Sequence, residues 1–189
     1  MPRKGLSREK ILGKAVAFIN QQGYDQLTLV ALAAILDVKP PALFKHYKNL
    51  DALKESLSLH GLQLLKQHLQ DAVTAKAAET ALKALCHAYH NFARDNKGLY
   101  QSIQPSFFRK NREIENAAMQ LMEIIMRVLK SFNIAQEYYI HLLRVIRSSL
   151  HGFIVLEIEF GFGVPANIEE SFEYQVRAII SVVNSLSSP

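Results

Sequence analysis

The chain has 189 residues, 49% of them apolar and 21% charged, with six prolines, eight glycines and a formal net charge of +5. Its mean hydropathy is +0.03, and its longest strongly apolar uncharged stretch, residues 148–156, is far short of the roughly 18 to 20 residues a bilayer span needs, which excludes a membrane-spanning helix. The single cysteine, Cys86, excludes an internal disulfide framework and a CxxC zinc site, and the basic start MPRKGLSREK leads into an amphipathic segment instead of an apolar targeting core, so a cytoplasmic location is expected.

Apolar residues recur at helical spacing through most of the chain, and no segment alternates with period two for long enough to make a half-buried strand, so the fold expected is all-α. Ser7 is the N-cap candidate of a first helix whose stripe Ile11, Leu12, Ala15, Phe18 and Ile19 ends at Gly23. Thr28 caps a short second helix carrying Leu29, Leu32, Ala33 and Leu36. After Asp37, the pair Pro40-Pro41 opens a third, because proline in a first turn lacks only an N–H that has no intrahelical partner, and this helix is expected to end near Lys48. Asn49 caps a long fourth helix, with Leu50, Leu53, Leu57, Leu64, Leu65 and Leu69 inward, that reaches about Val73.

Beyond Ala75 the helices lengthen, and aromatic and methionine residues become frequent. A boundary is therefore expected within the fourth helix, between a small three-helix domain over residues 1–55 and a larger helical domain over residues 56–189. Helices are expected at 79–96, with Leu82, Leu85, Tyr89 and Phe92 inward, briefly from Gly98, and at 109–132, with Met119, Met122, Ile125, Met126 and Leu129 inward. Two more, at 135–160 and 168–186, are separated by GFGVP, a stop of glycine followed by proline.

Two short helices joined by a tight turn, residues 28–36 and 40–47, have the size and spacing of a helix-turn-helix, in which the first helix holds the second rigidly so that its leading residues enter a major groove. The charge distribution suits such a partner. Cations outnumber acids nine to five over residues 1–60 and ten to six over 61–135, then fall to three against six over 136–189.

Catalytic signatures are thin. Cys86 and His90 share a helix face at i and i+4 beside His87, which suits two metal ligands or a thiolate with its base, yet no further ligand, acid or oxyanion motif accompanies them. Glu157 and Glu159 point in different directions on a helix, and a nucleotide-binding glycine loop is absent. No enzyme, metal site or cofactor is expected.

The segment LTLVALAAILDVK followed by PALFKHY resembles the DNA-binding domain of the TetR family of bacterial transcriptional regulators, which carries Thr, an Ile/Leu-Ala pair, a turn with a following Val, and Leu-Tyr-x-His-Phe. The likeness extends without gaps over residues 7–55 and includes Gly23-Tyr24. Asp37 stands where the family has a turn glycine, Phe44 replaces a tyrosine whose hydroxyl commonly meets a phosphate, and Leu50 replaces a lysine. Leu50 and Pro41 resemble one subgroup, whose C-terminal domain often carries Trp-His-Gly; here the segment is Leu150-His151-Gly152.

The chemistry of each side chain sorts the expected contacts. Thr28, His46 and Lys48 can donate to phosphates, and Arg3 and Lys4 can add charge along the backbone or enter the minor groove. Lys39, Pro40, Ala42 and Lys45 lie on the leading turns of the third helix, where lysine can read guanine and the small apolar groups can touch thymine methyls. Leu43 is expected in the core, and Tyr47 in packing with a polar tip.

The larger domain has the composition for an apolar effector cavity, with Leu65, Tyr89, Phe92, Tyr100, Phe107, Phe108, Met122, Met126, Tyr139 and Phe153 as candidate lining, although most such residues serve as core. His151, beside a mid-helix glycine, is either a polar ligand contact or a satisfied core histidine. The last helix presents Phe172, Val176, Ile179, Ile180, Val183 and Leu186, and the one before it Leu142, Val145, Ile146, Ser149 and Phe153. Paired across two subunits these stripes make a four-helix bundle, the homodimer that the resemblance also implies. The expectation is a ligand-responsive repressor that binds a palindromic double-stranded operator as a dimer and is released by a small apolar effector. The alternative is a helical ligand-binding or protein-interaction module that has lost operator binding.

Overall fold

The structure is a computed structural model that describes residues 5–104 and 111–187. Among these residues the elements are nine α-helices and no strand: α1 (Arg8–Gln22), α2 (Leu29–Ile35), α3 (Pro41–Phe44), α4 (Leu50–Val73), α5 (Ala78–Asp95), α6 (Lys97–Ile103), α7 (Arg112–Leu129), α8 (Tyr139–Ile158) and α9 (Ile168–Ser185). No described helix is long and apolar enough to cross a membrane. The chain forms two compact units, Met1–Gln63 with Asn96–Ala118, and Leu64–Asp95 with Met119–Pro189. Their limits cut α4 and α7, and the segment from Asn96, grouped by composition with the larger domain, belongs to the first unit.

In the first unit the helix starts are made locally. Ser7 Oγ accepts the Lys10 N–H at 3.2 Å, Thr28 Oγ1 the Ala31 N–H at 3.1 Å, and Asn49 Oδ1 the Ala52 N–H at 2.9 Å, each satisfying a donor that has no partner inside its helix. Ile11, Ala15 and Ile19 of α1 are buried with Leu32, Leu43, Leu53 and Leu57. The unit is completed by α6, which lies backbone to backbone against the end of α1. A Cβ on Gly98 would run straight into the Ile19 carbonyl oxygen. Asn20 fastens the contact, its Oδ1 accepting the Leu99 N–H at 2.9 Å. The buried Ser58 hydroxyl of α4 donates to the Ser102 carbonyl at 2.5 Å.

In the second unit α5, α8 and α9 pack together around Leu85, Phe92, Ile146, Leu150, Phe153, Phe172 and Val176. Their polar edges are stitched by pairs from α5 to α9, Lys83 and His87 to Glu173 and Arg94 to Glu169. Helix α7 turns Ile125 and Leu129 inward as expected, but not the methionines. Leu121, Ile124, Ile125 and Val128 are buried, whereas Met119 is 59% exposed and Met122 and Met126 lie at the border. The aliphatic residues set the phase of the helix and leave the flexible thioethers at its edge.

The end of α8 also differs from expectation. The Gly161 N–H donates to the Leu156 carbonyl at 2.7 Å and the Phe160 N–H to the Glu157 carbonyl at 3.3 Å. This paired closure requires a left-handed residue, and that residue is Phe160, at φ 56°, one position before the glycine.

Both backbone features have measurable consequences. Gly98→Ala forces a methyl against a carbonyl that cannot yield, so a loss of about 3 kcal/mol is expected, read as a lowered urea midpoint. Phe160→Gly removes a left-handed side chain and should gain about 1 kcal/mol.

Candidate nucleic-acid interface

Helix α2 ends through Asp37, which takes the left-handed conformation at φ 52°. Its N–H donates to the Ala34 carbonyl and the Val38 N–H to the Ala33 carbonyl, the closure usually made with glycine. The turn delivers the chain to Pro40 and Pro41, and α3 begins there with its φ angle already set. Helix α3 is one turn of four residues, shorter than the segment 40–47 expected. The N–H groups of His46 and Tyr47 both converge on the Leu43 carbonyl, which tightens the chain and ends the helix.

Leu43 and Tyr47 are buried and fix the orientation of α3. The Tyr47 hydroxyl donates to the Arg8 carbonyl at 3.4 Å, and the Arg8 guanidinium lies 4.9 Å from its ring centroid, the packing with a polar tip that its sequence context suggested. The opposite face presents Pro41, Phe44, Lys45 and Lys48 to solvent, with Lys39 exposed just before it and Pro40, Ala42 and His46 half-buried at its flanks. Thr28 is exposed at the start of α2, and because its Oγ1 accepts the capping bond, its O–H remains able to donate outward. None of the Lys39, Lys45 and Lys48 ammonium groups is held in an ion pair among the described residues. Arg3 and Lys4 lie outside the described residues. Phe44, read from the sequence only as a missing hydroxyl, is 52% exposed beside Lys45. Its position next to the inward Leu43 on a short helix was the signal that it faces out.

The candidate effector residues do not converge on one described cavity. Leu65, Tyr89, Phe92 and Phe153 are buried core of the second unit, and Met122, Met126, Tyr139 and His151 are half-buried there. Tyr100 is core of the first unit, and Phe107 and Phe108 lie outside the described residues. A cavity of about 310 Å³ instead opens where α8 connects to α9, from Leu156 to Ile168.

The stripe of α9 assigned to a partner subunit is already covered. Phe172, Val176, Ile179, Ile180 and Val183 are buried within the subunit, where α5 and α8 pack on them, as are Leu142, Ile146 and Phe153 of α8. A lone amphipathic helix buries its apolar face in its own core first. The faces left exposed carry Tyr174, Ala178 and Val182 on α9 and Val145, Ser148 and Gly152 on α8.

The side chains of the α5 cluster turn to separate partners. Cys86 is fully buried, and desolvation pushes its thiol up to about 12, so it stays protonated at neutral pH. His87 faces Glu173 at 3.1 Å and His90 faces Glu157 at 2.5 Å.

A capped short helix, a left-handed turn and a one-turn helix flanked by unpaired, exposed lysines define a helix-turn-helix DNA-binding head joined to a second helical unit. A sequence profile described as bacterial regulatory proteins of the tetR family matches residues 11–57, and one described as tetracyclin repressor-like, C-terminal domain, matches residues 82–179. The chain is 33% identical over 181 residues to the uncharacterized HTH-type transcriptional regulator YobS of Bacillus subtilis, spanning 95% of this chain and 94% of that one. It belongs to the TetR family and is a DNA-binding transcriptional regulator. The same fold is seen in a Rhodococcus protein of unknown function, at 22% identity and a TM-score of 0.81 over the whole of both chains. It recurs in a variant of TetR from Acinetobacter baumannii in complex with minocycline, at 19% identity and a TM-score of 0.73 over 98% of this chain and all of that one.

Burial and the nearby Arg147 charge hold the His151 imidazole below its ordinary value of 6.5. The unfolded chain therefore binds this proton more readily than the folded one, and stability contributed by the neutral ring falls as pH drops through about 6.5. His151→Gln should flatten the acid side of a melting-temperature profile against pH.

Proposed function

We propose that the protein is a repressor that binds a palindromic operator as a homodimer and is released when a small molecule occupies its second unit. The reading rests on the exposed surface around α3, where Lys39, Lys45 and Lys48 flank the helix without an ion pair among the described residues. Lysine ammonium groups released from internal pairing are free to displace the counterions of a phosphate backbone. Lys39, Pro40, Ala42 and Lys45 are the base-reading set, with Phe44 added for thymine methyls, and Thr28, His46 and Lys48 are the phosphate set, joined by Arg3 and Lys4. One turn of helix reads only a few base pairs, so useful affinity calls for two half-sites, about 34 to 36 Å apart.

Release has a covalent route. The chain passes between its two units three times, within α4, before α6 and within α7, and α6 is part of the packing that orients the head. An effector that favours one arrangement of the second unit biases the head through these connections. The minocycline complex of the Acinetobacter TetR is the precedent in this fold for a bound small molecule.

The homodimer uses the last two helices, through their outward faces. Gly152 lies in α8 with open space around the position a Cβ would take, so the conformational cost of a mid-helix glycine obtains no close packing within the subunit. A partner helix approaching at Gly152 and Ser148, across from Ala178 and Val182, would supply it.

Gel-shift titrations test the head. Lys45→Ala and Lys39→Ala should each narrow the gap between operator and random DNA by about fivefold or more, corresponding to about 1 to 3 kcal/mol. Thr28→Ala and His46→Ala should weaken both alike, and binding by the unmodified protein should fall steeply with salt. Equal losses on both DNAs from Lys45→Ala would show that this lysine reads phosphate.

Sedimentation tests the interface. Gly152→Glu and Val182→Glu should give folded monomers that no longer hold an operator, whereas Val176→Asp, which puts a carboxylate into the subunit core, should unfold the second unit outright. A folded dimer in both surface variants would move the interface elsewhere.

A further inference from the structure

The cavity between α8 and α9 is built from chemistry that no apolar effector needs. Leu156, Phe160, Phe162, Val164 and Ile168 give it apolar walls, and Glu157 is the one ionisable side chain among its lining residues. Glu157 is held in place from behind. The His90 ring, almost fully buried and stacked at 4.0 Å on Phe172, meets the Glu157 carboxylate through Nε2 at 2.5 Å from Oε2. Phe162 is fixed in turn by its contact with Phe153, 4.8 Å between ring centroids. Phe160 is held 86% exposed at the rim by a backbone in the left-handed region, a conformation disfavoured for an aromatic residue.

From this arrangement the geometry points to a site for an organic cation: a primary to quaternary ammonium carried on an apolar body. Two phenyl rings and a carboxylate around one cleft are the elements that attract ammonium groups, the rings through their negative faces and the carboxylate through its charge. The Oε2 atom engages His90, while Oε1 has no hydrogen bond or ion pair among the described residues and is the atom that meets the ligand. The other ligand classes are disfavoured by the same residues. An anion would meet a carboxylate with no cation among the lining residues, and a neutral apolar molecule would strip water from a carboxylate and return nothing to it. His90 acts as a positioning residue, orienting the carboxylate without touching the ligand.

As the effector site the proposal rests on the reading of the second unit given above, and as a binding site it stands alone. Calorimetry on the full chain with three probes of similar size separates the classes: benzyltrimethylammonium, benzyl alcohol and phenylacetate. The cation should bind about tenfold or more tighter than either of the others. Glu157→Gln should remove that advantage and leave benzyl alcohol unchanged. Phe160→Gly, expected to raise the melting temperature, should weaken the cation several-fold, so its loss cannot be ascribed to unfolding. Equal binding of the three probes, no binding of the cation, or full affinity in a folded Glu157→Gln protein would overturn the site. A gel shift with and without benzyltrimethylammonium then reads the effector role separately. Operator release supports that role, and binding of the cation with unchanged operator affinity overturns it while leaving the site in place.

Discussion

The reading head depends on a place where two backbones touch. At Gly98 the chain of α6 approaches the Ile19 carbonyl too closely for any side chain, and Asn20 locks the approach by accepting the Leu99 N–H. A three-helix head of some sixty residues buries little apolar surface by itself. Helix α6 adds Leu99, Tyr100 and Ile103 to that core, and its residues pack on α4 at Gly61. The core of the first unit is therefore completed, against α1 and α4, by a segment that lies more than twenty residues beyond α4 in the chain, reached only through chain that belongs to the second unit.

What the sequence disclosed of this was the local part. Ser7, Thr28 and Asn49 are legible as caps because a short polar side chain reaching back to an N–H three residues on is decided within one turn of helix. Asp37 is legible for the same reason, since aspartate tolerates the left-handed conformation. Its counterpart at Phe160 was hidden, because the adjacent Gly161 is the better left-handed residue and drew the expected stop to itself. The docking of α6 was hidden as well. Gly98 reads as the start of a short helical turn, and nothing within a window of ten residues says that its missing Cβ is required by Ile19, far back in the chain.

Periodicity discloses a stripe and is silent on what covers it. The stripe Phe172, Val176, Ile179, Ile180 and Val183 was legible, and its burial is real, but α5 and α8 of the same subunit cover it. The same limit applies to the outward side of α3. Leu43 was placed inward, and that placement sends Phe44 and Lys45 outward one residue later. Phe44 reads first as a lost hydroxyl, which hides the exposure of its ring.

Charge follows the same division between local and distant. Residues 136–189 carry an excess of acids, and of these Glu169 and Glu173 pair with Arg94, His87 and Lys83 of α5. Exposed pairs of this kind add little to stability. Glu157 is different in kind. It lies at the end of α8, engages a histidine buried in aromatic rings, and turns toward a cleft that holds no other charge among its lining residues. One carboxylate oxygen is met by the histidine, and the other faces a cleft whose remaining lining carries no charge to pair with it.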